Sequence, residues 1–157
     1  MKDLKTYGID NKTNPVEITL VHSIALLYNG LINEISPLLT AFDLTPGKFN
    51  ALMVIKNHGR EEGISQVDIS RRLIVTPSNM TRLIDKLEEE KLIERLSLEG
   101  DRRVNLVRIT ARGSQLLENI WPRYEAKVKE AAQMLDKQEQ QSLNHLLTGW
   151  LTKLTAE

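Results

Sequence analysis

The strongest constraint on this chain is the place where its periodicity changes. Over most of its length, apolar residues return at steps of three and four, the spacing of one helix face. One interruption breaks that pattern. Leu92-Ile93-Glu94-Arg95-Leu96 and Asn105-Leu106-Val107-Arg108-Ile109 read as two short strands, and the polar, glycine-containing stretch Ser97 to Arg103 between them reads as a hairpin loop. The fold class that follows is mostly α with a small β-hairpin.

Capping signals divide the helical part. A first helix is expected from Val16 to about Thr40, with Pro37 kinking or ending it. Its stripe is Val21, Ile24, Leu27, Leu31, Ile35 and Leu38. Thr45-Pro46 starts a second, because Thr caps and Pro suits the first helical position. Phe49, Leu52, Met53 and Ile55 are its buried face, and Gly59 is its expected stop. Ser65 starts a third, with Asp68 placed as in a capping box and Ile69 and Leu73 facing inward. Thr76-Pro77 starts a fourth, which runs to about Lys91. Thr110 caps a fifth, carrying Leu117, Ile120, Tyr124, Val128, Ala131 and Leu135, with a kink expected at Pro122. A sixth starts near Lys137 and carries Leu143, Leu146, Leu147, Trp150, Leu151 and Leu154.

Composition narrows the classes. The length suits one compact domain. The chain has no cysteine, which removes disulfides, thiol catalysis and thiolate metal sites. His22, His58 and His145 are scattered without metal spacing, so no metal and no cofactor are expected. No nucleophile motif, phosphate loop or paired-carboxylate pattern stands out, and an enzyme is not expected. Met1 to Asn14 has no apolar core of a secretory signal, and no unbroken apolar run reaches membrane length, so a cytoplasmic protein without membrane partners is expected.

Formal charge is zero, from 21 basic and 21 acidic side chains. The distribution is uneven. Arg71 to Arg82 holds three arginines and no acid; Asp101 to Arg112 holds four arginines and one acid. A neutral chain can still present a basic face.

Two short helices with a tight link at Ile74-Val75, followed by a hairpin, form the layout of a winged helix-turn-helix. On the fourth helix, Met80, Leu83, Ile84 and Leu87 share a core face, with Ser78, Arg82, Asp85, Lys86 and Glu89 opposite and Asn79 and Thr81 on the flanks. Ser78, Asn79, Thr81 and Arg82 are residue types suited to base edges and phosphates. Ser65, Thr76, Pro77 and Lys86 complete the candidate DNA-contact set on the helices. Periodicity alone fits an ordinary amphipathic helix with a solvated polar face equally well. The hairpin tip, Glu99-Gly100-Asp101-Arg102-Arg103, favours DNA, because arginine on a thin projection suits the negative minor groove. Asp101 could orient one of those arginines.

These residues resemble the MarR family of regulators. The similarity is carried by Leu87 to Arg95, by Asp101-Arg102-Arg103, by Ile109-Thr110-Ala111-Arg112-Gly113, and by Thr76 to Arg82 as a recognition helix. The resemblance implies an obligate homodimer on double-stranded DNA with a pseudo-palindromic operator. It also implies Arg82 and its neighbours in the major groove, and Asp101 and Arg103 holding the wing at the minor groove. One position departs: Lys91 stands where the family usually has glycine, which bears on the exit of the recognition helix.

The winged lobe is expected over 44–111, flanked by dimerisation helices at 16–41 and 112–155 within a single domain. Interface candidates are Leu20, Ile24 and Leu27 on the first helix and Leu147, Trp150, Leu151 and Leu154 on the last; ordinary core packing is the alternative. A small-molecule effector pocket, as in MarR-like proteins, would draw on His22, Tyr28, Phe49, Trp121 and Tyr124, each of which also fits plain packing. The expected function is a sequence-specific transcriptional regulator, a repressor released by a ligand. The alternative is a protein-interaction module on the same fold, suggested by zero net charge and by Glu88-Glu89-Glu90.

Overall fold

Helix starts follow their caps. The computed structural model describes residues 4–10, 12–73, 80–96 and 106–156. A short 3-10 turn (Leu4–Tyr7), which carries no sequence signal of its own, precedes α1 (Val16–Thr40). Next come α2 (Pro46–Gly59), β1 (Ile64–Ser65), α3 (Gln66–Arg72), α4 (Met80–Glu89), β2 (Ile93–Leu96), β3 (Leu106–Ile109), α5 (Ala111–Ala132) and α6 (Lys137–Thr155). The Thr45 side chain accepts from the Lys48 N–H, and Ser65 Oγ accepts from the Asp68 N–H at 3.0 Å. Ser65 does not form the full reciprocal box expected of it. Its hydroxyl donates to Asp68 Oδ2 at 2.7 Å, because the aspartate is too short to reach back to the backbone.

The two prolines do not stop their helices. Pro37 lies inside α1, and Pro122 lies inside α5. What ends α1 is a left-handed residue, Asp43, at φ 57°. Its N–H donates to Thr40 O, and the Leu44 N–H donates to Leu39 O, both at 3.0 Å. Helix α2 ends at Gly59, the expected stop. The positive φ falls one residue later, on Arg60, at 43°. Gly59 is buried as the last residue of α2, and an added Cβ would meet the Ile64 side chain at 3.4 Å, an ordinary packing contact.

The hairpin becomes a three-stranded antiparallel sheet in the order β1-β3-β2. Ile64 pairs with Val107, and Ile93 pairs with Ile109. Strand β1 has two residues, too short to show alternation in the sequence.

The chain falls into two compact units, Met1–Pro122 and Arg123–Glu157. The core of the first is one apolar cluster. Leu39, Leu52, Ile55, Ile69, Ile84, Leu87, Ile93, Val107 and Ile120 are fully buried there. Burying each such side chain contributes about 1.5–3 kcal/mol. This cluster draws on α1 through α5 and on two strands, so it fixes α4 and the sheet in one frame. The second unit holds the end of α5 and all of α6. Asp136 caps α6 in a full capping box with Glu139, both bonds at 2.8 Å. The Gln140 amide closes the turn by donating to Ala132 O and Leu135 O.

Two helices keep wide apolar surfaces. On α1, Val16, Ile18, Leu20, Val21, Ile24, Leu27, Tyr28 and Leu31 are exposed. On α6, no residue is buried, and Leu143, Leu146, Leu147, Trp150, Leu151 and Leu154 are exposed. Among the described residues, α1 is long and apolar enough by length and composition to cross a membrane, with a mean hydropathy of 1.2 over its best window. The sequence expectation missed this because polar residues interrupt the run without lowering the average below that level.

Candidate nucleic-acid interface

Helix α4 turns its apolar side into the core as its periodicity requires. Ile84 and Leu87 are fully buried, and Met80 and Leu83 are half-buried. Thr81, Arg82 and Lys86 are exposed, on the polar side. The segment 74–79, with Thr76, Pro77, Ser78 and Asn79, lies outside the described residues. So does 97–105, which contains Asp101, Arg102 and Arg103. Ser65 stands at the start of α3, half-buried, with its hydroxyl committed to that helix's cap.

The exit of α4 is closely built. Lys91 has φ 58° and its N–H donates to Glu88 O at 2.8 Å, while the Leu92 N–H donates to Leu87 O at 2.9 Å. This is the Schellman pattern that normally takes glycine at the left-handed position. The lysine adopts the turn anyway, because the start of α5 grips it. Thr110 Oγ1 donates to Lys91 O at 2.8 Å, the Thr110 N–H donates to Leu92 O at 3.1 Å, and Thr110 Oγ1 also accepts from the Gly113 N–H. A left-handed non-glycine residue costs roughly 1–2 kcal/mol, partly offset by the entropy glycine would lose. Lys91→Gly is therefore expected to stabilise the fold by about 0.5–1 kcal/mol, seen as a higher urea midpoint at unchanged slope.

Ion pairs tie the surrounding elements to α4. Arg95 on β2 donates through Nη2 to Asp85 at 2.5 Å and through Nη1 to Glu88. Lys48 on α2, whose side chain is 11% exposed, pairs with Glu90 at 2.5 Å. Across the sheet, Arg108 faces Glu94 in register and donates to it at 2.8 Å, and it reaches Glu61 at 3.2 Å. On α3, Arg72 and Arg71 approach Asp68. The Ser65 hydroxyl holds the Asp68 carboxyl below its ordinary pKa against the opposing effect of burial, with smaller help from the two arginines. Periodicity puts Asp85 on the outer face, and Glu88 belongs to the acidic run that suggests a protein-interaction module. Both turn to Arg95 instead, a partner that periodicity within one helix cannot reveal.

Two clefts open on the first unit. One is lined by Lys56, Arg60, Glu94, Arg108 and the start of α5; the other by Phe42, Leu44, Glu90, Leu92, Arg112 and Leu116. None of the five candidate effector residues lines either. Phe49 is in the core, His22 is exposed with Nδ1 on Ile18 O, and Tyr28 and Trp121 are exposed; Tyr124 is half-buried in the second unit.

Comparison with known proteins places this geometry. The model of the MarR family matches residues 44–104, which run from α2 to the hairpin. The HTH-type transcriptional regulator MhqR of Bacillus subtilis is 29% identical over 104 residues, covering 66% of this chain and 70% of MhqR. The uncharacterised HTH-type regulator YfiV of the same organism is 27% identical over 101 residues, covering 64% of this chain; the match spans 61% of YfiV's length. A crystal structure of a mutant MarR from E. coli complexed with operator DNA superposes with a TM-score of 0.76 at 25% identity, covering 85% of this chain and 94% of that one.

The matched segment and the fold are similar to those of MarR-family regulators.

Other solved MarR-type folds agree. A MarR-like transcription regulator from Bacillus cereus has a TM-score of 0.81 at 22% identity, covering 88% of this chain and 98% of that one. BpsR of Bordetella bronchiseptica has a TM-score of 0.75 at 22% identity, covering 83% and 97%. In this MarR-like fold the helix-turn-helix is α3 and α4, and the sheet beside it is β1-β3-β2. The fold is thus mostly helical with a small winged sheet, as the interruption in periodicity implied. Lys91 itself takes the left-handed position of the exit turn.

Proposed function

We propose that the chain is a sequence-specific, DNA-binding transcriptional regulator working as a homodimer in the cytoplasm. The observation that carries this reading is α4. One side of it is locked into the core by Ile84 and Leu87, and the other presents Thr81, Arg82 and Lys86. The likeness to a MarR bound to operator DNA supports the same reading. Arg82 reads a base edge in the major groove, Lys86 meets phosphate, and Asp101, Arg102 and Arg103 set the hairpin at the minor groove. Ser65, Thr76, Pro77, Ser78 and Asn79 complete the contact set. This is a binding role, not an enzymatic one; the relatives are transcriptional regulators.

The apolar faces of α1 and α6 are what two copies share. One winged lobe gives modest affinity, while two tied lobes read two half-sites together. A second copy also accounts for the apolar composition of α1 without a membrane. Release by a small molecule completes the proposal, with repression as the resting state. BpsR has its DNA binding regulated by 6-hydroxynicotinic acid. The effector here would favour a dimer whose recognition helices are wrongly spaced for the operator, a population shift. His22, Tyr28, Phe49, Trp121 and Tyr124 are the residues to vary in seeking it.

The contact assignment is tested by Arg82→Ala, titrated against a duplex enriched by the wild-type chain. A base-reading arginine is worth about 1–3 kcal/mol, so affinity should fall roughly five- to 150-fold for that duplex. Binding to a scrambled duplex should fall much less. Equal losses on both duplexes would make Arg82 a phosphate contact and defeat the assignment.

A further inference from the structure

We propose that Arg95 is a positioning residue for sequence reading: it fixes the roll and tilt of α4 against strands β2 and β3, so that helix and sheet meet one duplex in a set relation. The proposal rests on the DNA-binding reading above. Two fully buried side chains, Ile84 and Leu87, hold the described part of α4 in the core. They lie on one side of the helix, so on the side away from them α4 is held to the sheet by ion pairs rather than by packing. Asp85 and Glu88 are about one turn apart on the same helix, and a single guanidinium on β2 takes both. A planar fork with two donors in fixed directions resists rotation, which a lysine ammonium would not. β2 is in turn paired along its length with β3, so the constraint passes into the sheet that carries the hairpin.

Charge points the same way. Taken alone, residues 80–91 carry four acids against three cations, a poor face for a polyanion. Arg95 and Lys48 turn that balance to a net positive charge, and they occupy three of the four acids, Asp85, Glu88 and Glu90. The acids at this end of α4 are therefore anchor points for its neighbours. Arg95 is about one-third exposed, so the pairs themselves add little to folding stability. A purely structural arginine here would change stability slightly and sequence discrimination not at all.

That contrast sets the test. Affinities are measured for a duplex enriched from a random pool by the wild-type chain and for a scrambled duplex of the same composition. Their ratio is the discrimination. Arg95→Ala is expected to lower the ratio roughly tenfold with a small change in melting temperature. Adding Asp85→Asn and Glu88→Gln to Arg95→Ala removes the uncovered charge; it should restore affinity for the scrambled duplex but not the ratio. Arg95→Lys keeps the charge and should lower the ratio roughly threefold; it carries the test if the alanine variant fails to fold. An undiminished ratio in the folded Arg95 variants, or full recovery of the ratio in the triple variant, would overturn the positioning role while leaving DNA binding intact. A wild-type chain with no preferred sequence would overturn the DNA reading, and this proposal with it.

Discussion

Replacing Gly113 by alanine is expected to lower the melting temperature by about 6–12 °C, close to 3 kcal/mol for a chain of this size. Elsewhere in a helix the same change would stabilise, because glycine costs about 1 kcal/mol against alanine. Here the added carbon has no space. It would sit 2.2 Å from Leu92 O and 2.9 Å from the Ile109 side chain. The first obstacle is backbone, and that carbonyl already accepts from the Thr110 N–H at 3.1 Å. Relief requires moving the Leu92 peptide, and with it the exit turn of α4 and the start of β2. The lost packing and the strained bond outweigh the gain in helix propensity. Calorimetry on the purified variant checks this; a melting temperature equal to or above that of the wild type would show that α5 can back away from the sheet.

The second large effect concerns the exposed stripe of α6. Leu147→Glu with Leu151→Glu puts two carboxylates one turn apart on a face where Leu151 is 60% exposed in the single chain. The fold of one copy should tolerate the change, since no residue of α6 is buried. A shared apolar interface should not tolerate it, because unpaired charge buried between chains costs several kcal/mol. Sedimentation is expected to show a dimer for the wild type and a monomer for the variant. Operator affinity should fall by about 10²–10⁴, the loss of tethering between two half-sites. A variant that remains dimeric would place the interface elsewhere.

The legible part of this chain was its punctuation. Thr45-Pro46, Ser65 and Thr110 mark helix starts because a hydroxyl beside free N–H groups is a local interaction, visible within four residues. The apolar face of α4 was legible for the same reason: Ile84 and Leu87 lie within one turn of each other. What escaped depends on distance along the chain. β1 is a strand only because Ile64 meets Val107. Gly113 is required by the carbonyl of Leu92, and Arg95 acts on acids in a different element. α2 does end at Gly59, but the positive φ that turns the chain falls one residue later, on Arg60. Pro37 and Pro122 lie inside their helices, and α1 runs to Thr40 as its apolar stripe indicates. For the interface itself, Thr81, Arg82 and Lys86 stand on the polar side of α4 as periodicity indicated, and Lys91 takes the left-handed turn by virtue of Thr110, a partner 19 residues away.

Two copies of this chain are proposed to read a specific DNA sequence. Selection of bound duplexes from a random pool tests this most directly. Enrichment of an inverted repeat with half-site centres about one helical turn apart is expected, with affinity that falls steeply as salt rises. A pool that emerges from repeated rounds without any enriched sequence, while the chain is folded and dimeric, would contradict it.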